Sequence, residues 1–408
     1  MAWTTEDKFI LRHLFAPEKA EAVPPAEGAG RVKAEKDPDW SVFLEKTRRE
    51  GVSAVIFHNL RKQGLAARIP TEILSALSRD YHANLKRNML IIGELRTILS
   101  RLQAAGIPCI VLKGIALAEF VYPSLAMRGM SDVDLLIRKE HLQQADGMLA
   151  SLGFLSRDLD ALEAVRNPAG YLASLEYRKD PPSPLNLHLH WHLVNTSVPA
   201  TAFIREVDLE RIWKKSGPVR MADGPARMLC PEHLILYLCE HALRVGHSFD
   251  RLILLCDLFY AVNTFADSLG WIALVEEARR TGFSRFAYHG LTIAKAYTGL
   301  AIPEICLAQL KPLDLSRSEK LFLRLQRCNR RIRGSSYLIY LAMNRGMSAK
   351  AGFIARTFFP PAQIILQRRY LKEGEFKKSL YLSRIGEICS YIWELLAPGR
   401  TNTTGQER

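Results

Sequence analysis

The sequence predicts an α+β protein: a small mixed-sheet module set between an N-terminal helical segment and a larger C-terminal helical domain. Three observations lead there. Apolar residues recur at three- and four-residue steps as far as Ala105. Between about 106 and 195 short apolar runs broken by glycine and proline replace that period. From Asp208 to Leu396 the helical period returns almost without interruption. The borders fall at 1–105, 106–195 and 196–408, with a loose linker rich in Pro, Ala, Glu and Gly at about 17–38.

Taken in order, Phe9, Ile10 and Leu14 predict a short helix within 1–16. Asp37 or Asp39 is placed to cap a helix running to about Glu50, and Val52 to Gly64 predicts another. Pro70-Thr71 opens a long helix to Ala105, with Leu74, Leu77, Tyr81, Leu85, Ile91, Leu95, Ile98 and Leu102 on its inner face and Gly106 as its stop. Strands are expected at Pro108–Leu112 and Ser131–Ile137, with helices at Ile115–Phe120 and Lys139–Leu152. Ser174–Arg178 and Leu185–Leu193 predict an antiparallel pair joined by a turn at Pro181, Pro182 and Pro184.

At 408 residues and 48% hydrophobic, the chain can bury a large core. No apolar run reaches the ~18 residues of a membrane span; Leu252–Val262 is shorter and contains Asp257. The first residues are acidic, without a signal-peptide pattern. Seven scattered cysteines with no C-x-x-C pair fit free thiols and argue against a zinc ribbon, so a cytoplasmic protein is expected. The net charge is +14, and residues 311–408 hold 19 Lys+Arg against 7 Asp+Glu, or +12. That excess is a solvated helical surface, an electropositive wall for phosphate, or a patch for nucleic acid or a membrane surface. Its cations include Arg324, Arg327, Arg330, Arg331, Arg333, Arg368, Arg369, Lys377 and Lys378.

The chemistry concentrates in Ile110–Ile137. Alternation on a strand points Asp132 and Asp134 the same way, with Val133 and Leu135 opposite. Two adjacent carboxylates repel, and a divalent cation relieves them; the plainer alternative is an exposed strand edge. Gly114 suits a tight turn where backbone N–H groups approach a phosphate. Lys113 beside it is either a point charge for a triphosphate or a solvated lysine. Arg128 either binds phosphate or pairs with an aspartate.

The run Ile107-Pro108-Cys109-Ile110-Val111-Leu112-Lys113-Gly114, then Tyr122-Pro123, then Arg128-Gly129-Met130-Ser131-Asp132-Val133-Asp134-Leu135-Leu136-Ile137 resembles the bacterial nucleotidyltransferase family of the polymerase-β-type superfamily. That family carries an "LKG … YP … R-x-x-x-D-x-D-L-L-V" core. Asp39-Trp40, Leu152-Gly153-Phe154, His190-Trp191, the stretch from Pro231 to Asp257 and Phe359-Pro360-Pro361 extend the resemblance over most of the chain.

The resemblance implies a Mg²⁺-dependent enzyme, with Mn²⁺ as an alternative, that moves a nucleoside monophosphate from an NTP, ATP foremost, to an acceptor. It implies catalytic roles for Asp132, Asp134 and His188, metal binding by Asp132 and Asp134, and nucleotide binding by Lys113, Gly114 and Arg128. The family places an acid, then Leu-His-Trp, at the third position of the site. Here the run is His188-Leu189-His190-Trp191. An imidazole can act as a base or ligate a metal, but adds no negative charge. The alternatives are a one-metal enzyme with a histidine base, an altered metal preference, or a nucleotide-binding or partner-binding protein with weak turnover or none. His188, His190 and His192 share a strand face and could form a three-histidine metal set or be partly structural. A basic scaffold for nucleic acid is a third possibility.

Overall fold

The computed structural model describes residues 3–15, 37–156, 173–179, 183, 185–194, 207–244, 247–327, 331–332, 334–344, 346–360, 362, 365 and 379–396. The expected linker, apart from Asp37 and Pro38, lies outside them. So do Pro181, Pro182 and Pro184, and the basic residues Arg330, Arg333, Arg368, Arg369, Lys377 and Lys378.

Helices form where the chain supplies a cap and a spaced apolar face. Helix α1 (Thr5–Leu14) starts in a capping box between Thr4 and Asp7. In α2 (Trp40–Arg49) the Asp39 carboxylate accepts from the N–H groups of Ser41 and Val42. Helix α3 is Ser53–Lys62, and the long α4 runs Thr71–Ala104. The glycine stop follows: Gly106 takes φ +69, the left-handed conformation of a helix end.

Strand β1 (Cys109–Val111) turns through Gly114 into α5 (Ile115–Phe120), and β2 (Asp132–Ile137) follows. Helix α6 (Leu142–Ser151) leads to β3 (Phe154–Ser156). Strands β4 (Ser174–Lys179) and β5 (Asn186–His190) pair antiparallel as expected. After α7 (Leu209–Lys215) come β6 (Gly217–Met221) and β7 (Gly224–Met228). The remaining elements are helical, beginning with α8 (Pro231–Ala242) and α9 (Leu252–Thr264).

The expectation of an almost wholly helical chain after Asp208 thus needs correction. Ala222 and Asp223 both adopt positive φ, +48 and +57, and make a two-residue hairpin turn between β6 and β7. Gly217, Pro218, Gly224 and Pro225 dilute the alternation of both strands, so the hairpin leaves little trace in the periodicity.

The seven strands among the described residues form one mixed sheet in the order β3-β4-β5-β2-β1-β7-β6. Strand β2 runs antiparallel to β1 and parallel to β5. One apolar cluster packs the sheet against α4 and α6 through Ile91, Leu95, Leu99, Val133, Leu135, Leu149, Leu187 and Leu189. A second joins α1–α3 and the start of α4 to the later helices, through residues such as Phe43, Leu60, Leu77, Tyr237, Leu255 and Phe286. Helix α4 therefore spans both. Its polar side also holds the loop that enters β2: Asn88 donates to the carbonyls of Leu125 (2.6 Å) and Arg128 (2.9 Å), and Arg87 donates to that of Met130 (2.9 Å).

Candidate active site

The parallel β2–β5 register places Asp134 directly across from His188, and Asp132 across from Asn186. Side chains at paired positions share a sheet face, so strand alternation brings Asp132, Asp134, His188 and His190 together. Lys113 comes from the turn that follows β1. Its Nζ lies 2.6 Å from Asp134 Oδ2 and 3.6 Å from Asp132 Oδ2. His188 Nδ1 is 3.5 Å from Asp132 Oδ2 and 3.5 Å from Asp134 Oδ1, and His190 Nε2 is 2.8 Å from Asp134 Oδ1. Asp134 and His190 are buried, whereas the Asp132 and His188 side chains are 29% and 31% exposed, which makes theirs the open side of the site.

Burial and charge oppose each other here. Burial raises the Asp134 carboxyl, but the Lys113 ammonium and the two imidazoles outweigh it and hold Asp134 well below the usual carboxylate range. Burial depresses Lys113, yet Asp134 and Asp132 more than restore its proton affinity, and it stays charged. Burial also pulls His188 down, but hydrogen bonding to Asp134 and the charge of both aspartates raise it on balance. His190 is the opposite case: burial prevails over the Asp134 bond and lowers it. A neutral His190 then donates Nε2–H to Asp134 Oδ1.

Gly114 occupies φ +51, ψ −99, a backbone conformation costly for any residue with a Cβ. A Cβ there would also lie 3.5 Å from the Asp132 carbonyl oxygen. The glycine turn thus runs directly beside the strand that carries the acids. The structure places Arg128 on an aspartate. Its Nε is 2.7 Å from Asp257 Oδ1 and its Nη2 3.0 Å from Oδ2, while the Tyr122 hydroxyl donates to the same Oδ1 at 2.7 Å. A guanidinium held this way ties the loop before β2 to α9. Its direct bonds go to Asp257 and the Gly129 carbonyl, and it acts on Asp132 only through its field.

Helix α8 and the turn after it add Tyr237, His241 and His247; the resemblance covers their stretch, Pro231–Asp257, but assigns none of them to the site. Tyr237 stacks near His241, with ring centroids 6.1 Å apart, and His241 lies 4.5 Å from the ring of His247. Burial depresses both imidazoles, and the positive charges of Lys113 and Arg244 add to it; His247 falls to about 3. Burial likewise pushes the Tyr237 phenol up to about 12. All three are buried or nearly so and feel the charge of Lys113, yet they lie more than 120 residues along the chain from it. His192 stands apart: its Nδ1 accepts from the Val194 N–H at 3.0 Å, while the residues whose ligand atoms converge are Asp134, His188 and His190.

No curated protein matches the chain. With the acidic pair, the glycine turn and the buried lysine in place, the family match covers this whole region: the model for an uncharacterised nucleotidyltransferase family aligns with residues 36–299, and the chain belongs to that family.

Proposed function

We propose that the protein is a metal-dependent nucleotidyltransferase that moves a nucleoside monophosphate from an NTP, ATP foremost, to an acceptor nucleophile. The observation that carries this reading is the Asp132/Asp134 pair, drawn together with Lys113 and His188 on one sheet face beside the Gly114 turn. The donor set suits a divalent cation. Two carboxylates against one ammonium leave a net negative site. Asp134 Oδ2 is also a buried oxygen that accepts no well-formed hydrogen bond among the described residues, although Lys113 is ion-paired to it. Asp132 and Asp134 would hold Mg²⁺, or Mn²⁺ in its place, which when bound supplies charge neutralisation to the phosphate oxygens.

The chain's own residues supply the rest. Lys113 offers a fixed positive charge to the triphosphate, and the Gly114 turn lets backbone approach it closely. His188, on the open side, takes the proton of the acceptor hydroxyl as its oxygen bonds to the α-phosphorus. The bond from the α-phosphorus to the bridging oxygen breaks, and pyrophosphate leaves. Tyr237, His241 and His247, on α8 and in the turn after it, are held neutral within the field of Lys113.

Binding of the four Mg·NTPs and release of pyrophosphate test the reading. Asp132→Asn with Asp134→Asn is expected to abolish both. If purified protein binds no Mg·NTP and the double variant changes nothing, the enzyme reading fails. One observation favours a second reading, a nucleotide-binding or partner-binding protein without turnover: Lys113 and His190 engage both oxygens of Asp134 from within the protein. His188→Asp separates the two. A gain of pyrophosphate release marks a lapsed enzyme, and a loss marks His188 as the base.

A further inference from the structure

We infer that the metal position at Asp134 is a mixed nitrogen–oxygen site, built by Asp134, His188 and His190, that takes a first-row transition ion, Mn²⁺ or Zn²⁺, in preference to Mg²⁺. This rests on the nucleotidyltransferase reading above and deepens it by naming the class of ion, with His188 taken as a ligand in place of its role as base.

The register of β2 and β5 makes the site. Asp134 pairs with His188, and His190 lies two residues further along β5 on the same face. The ligand atoms of the three residues lie within 4.8 Å of one another. Asp134 Oδ1 is 3.5 Å from His188 Nδ1 and 2.8 Å from His190 Nε2. Around an ion with bonds of about 2.0–2.1 Å, neighbouring ligands stand about 2.9–3.4 Å apart, so small shifts suffice.

The carboxylate is already divided for such a role. Lys113 holds Oδ2, so Oδ1 can turn to an ion while the lysine fixes the carboxylate from behind. The His190–Oδ1 hydrogen bond is the contact an ion would replace, taking both atoms as ligands. His190 Nδ1 has no hydrogen-bond partner among the described residues, and ligation through Nε2 would move the ring proton to it. Asp134 and His190 are buried and set the ion's place, while the partly exposed His188 and Asp132 leave open positions toward solvent. Asp132 Oδ2, 3.5 Å from His188 Nδ1, is the next oxygen in reach.

Ligand chemistry then decides the ion. Mg²⁺ favours oxygen donors and sheds water reluctantly. Imidazole binds first-row transition ions more readily than Mg²⁺, and two histidines with one carboxylate and open positions make a set that such ions take. Replacing an acid by His188 also removes the negative charge that a Mg²⁺ site would use.

The test is titration of the full-length protein with Mn²⁺ without nucleotide, followed by electron paramagnetic resonance, with Mg·ATP binding measured in parallel. One bound Mn²⁺ showing coupling to imidazole nitrogen is expected. His190→Ala and His188→Ala should each weaken it at least about tenfold. The second variant alters a partly exposed residue and guards against a folding defect in the first. His188→Asp should shift preference toward Mg²⁺. Bound Mn²⁺ without nitrogen coupling, or affinity unchanged in both alanine variants, overturns the inference. Mg·ATP binding with no Mn²⁺–nitrogen signal overturns it too but leaves the nucleotidyltransferase reading standing. Failure to bind Mg·ATP at all counts against that reading itself.

Discussion

Asp134 shows what a buried charge requires. Lys113, His188 and His190 surround its carboxylate, and its low proton affinity records their combined pull against burial. His247 records the reverse. Burial and the nearby positive charges of Lys113, Arg244 and Arg251 hold it to about 3, with only Asp132 opposing. The unfolded chain, with histidine near its ordinary value of about 6.5, takes up that proton first. The stability His247 contributes is therefore complete above about pH 6.5 and is lost as pH falls toward 3, by up to about 1.4 kcal/mol per pH unit. Urea unfolding at pH 5 and pH 7.5 is expected to show lower stability at the acid value, and His247→Asn should flatten the difference. An unchanged slope would mean that the imidazole is not held neutral. At this scale the sequence was legible where neighbours in the chain are neighbours in space. Strand alternation aligned Asp132 with Asp134, and Lys113 follows β1 directly. His190, Tyr237 and His247 reach the site only through strand register and helix packing, which no local spacing records.

Among elements, the loop from α5 to β2 decides where the acids sit. It is clamped from α4 by Asn88 and Arg87, and from α9 by Asp257, which receives Arg128 and Tyr122. Asp257→Asn leaves the Arg128 guanidinium buried without its counter-charge, and is expected to cost about 3–5 kcal/mol. Chemical denaturation measures this, and a loss below about 1 kcal/mol would show the pair to be dispensable. The clamp was half visible. Arg128 and Asp257 both stood out in the sequence, but their partnership joins residues 129 apart. Long helices and the apolar β2 strand were readable because their periods are strong. The β6–β7 hairpin was not, because prolines and glycines break its alternation and its apolar side, with Met221 and Ala226, is short.

Across the whole molecule, part of the basic excess of the last quarter is internal. Arg331 forks onto Glu50, at 2.6 and 2.8 Å, and so fastens that quarter to the end of α2. Arg384 is buried and bonds Thr357, Tyr337 and Glu387. Other cations face solvent: Arg317, Lys320, Arg324 and Arg327 are exposed and recur at three- and four-residue steps along one helix, Arg317–Arg327. Lys320→Glu with Arg324→Glu is expected to lower markedly the salt at which the protein leaves a cation exchanger, with its melting temperature little changed. Unchanged elution would place the active positive face elsewhere. The late hairpin also bears on how the protein can be dissected. Strand β1, which leads into Lys113 and Gly114, is flanked by β2 on one side and on the other by β7, which arrives only at Gly224–Met228. A fragment cut at 195 would keep every acid and histidine of the β2–β5 face, yet leave β1 as a bare edge open to pairing with another chain. The Asp132/Asp134 face is therefore not a portable cassette: strand β1, which leads into its glycine turn, is completed by β7, which follows the whole β2–β5 face in the chain.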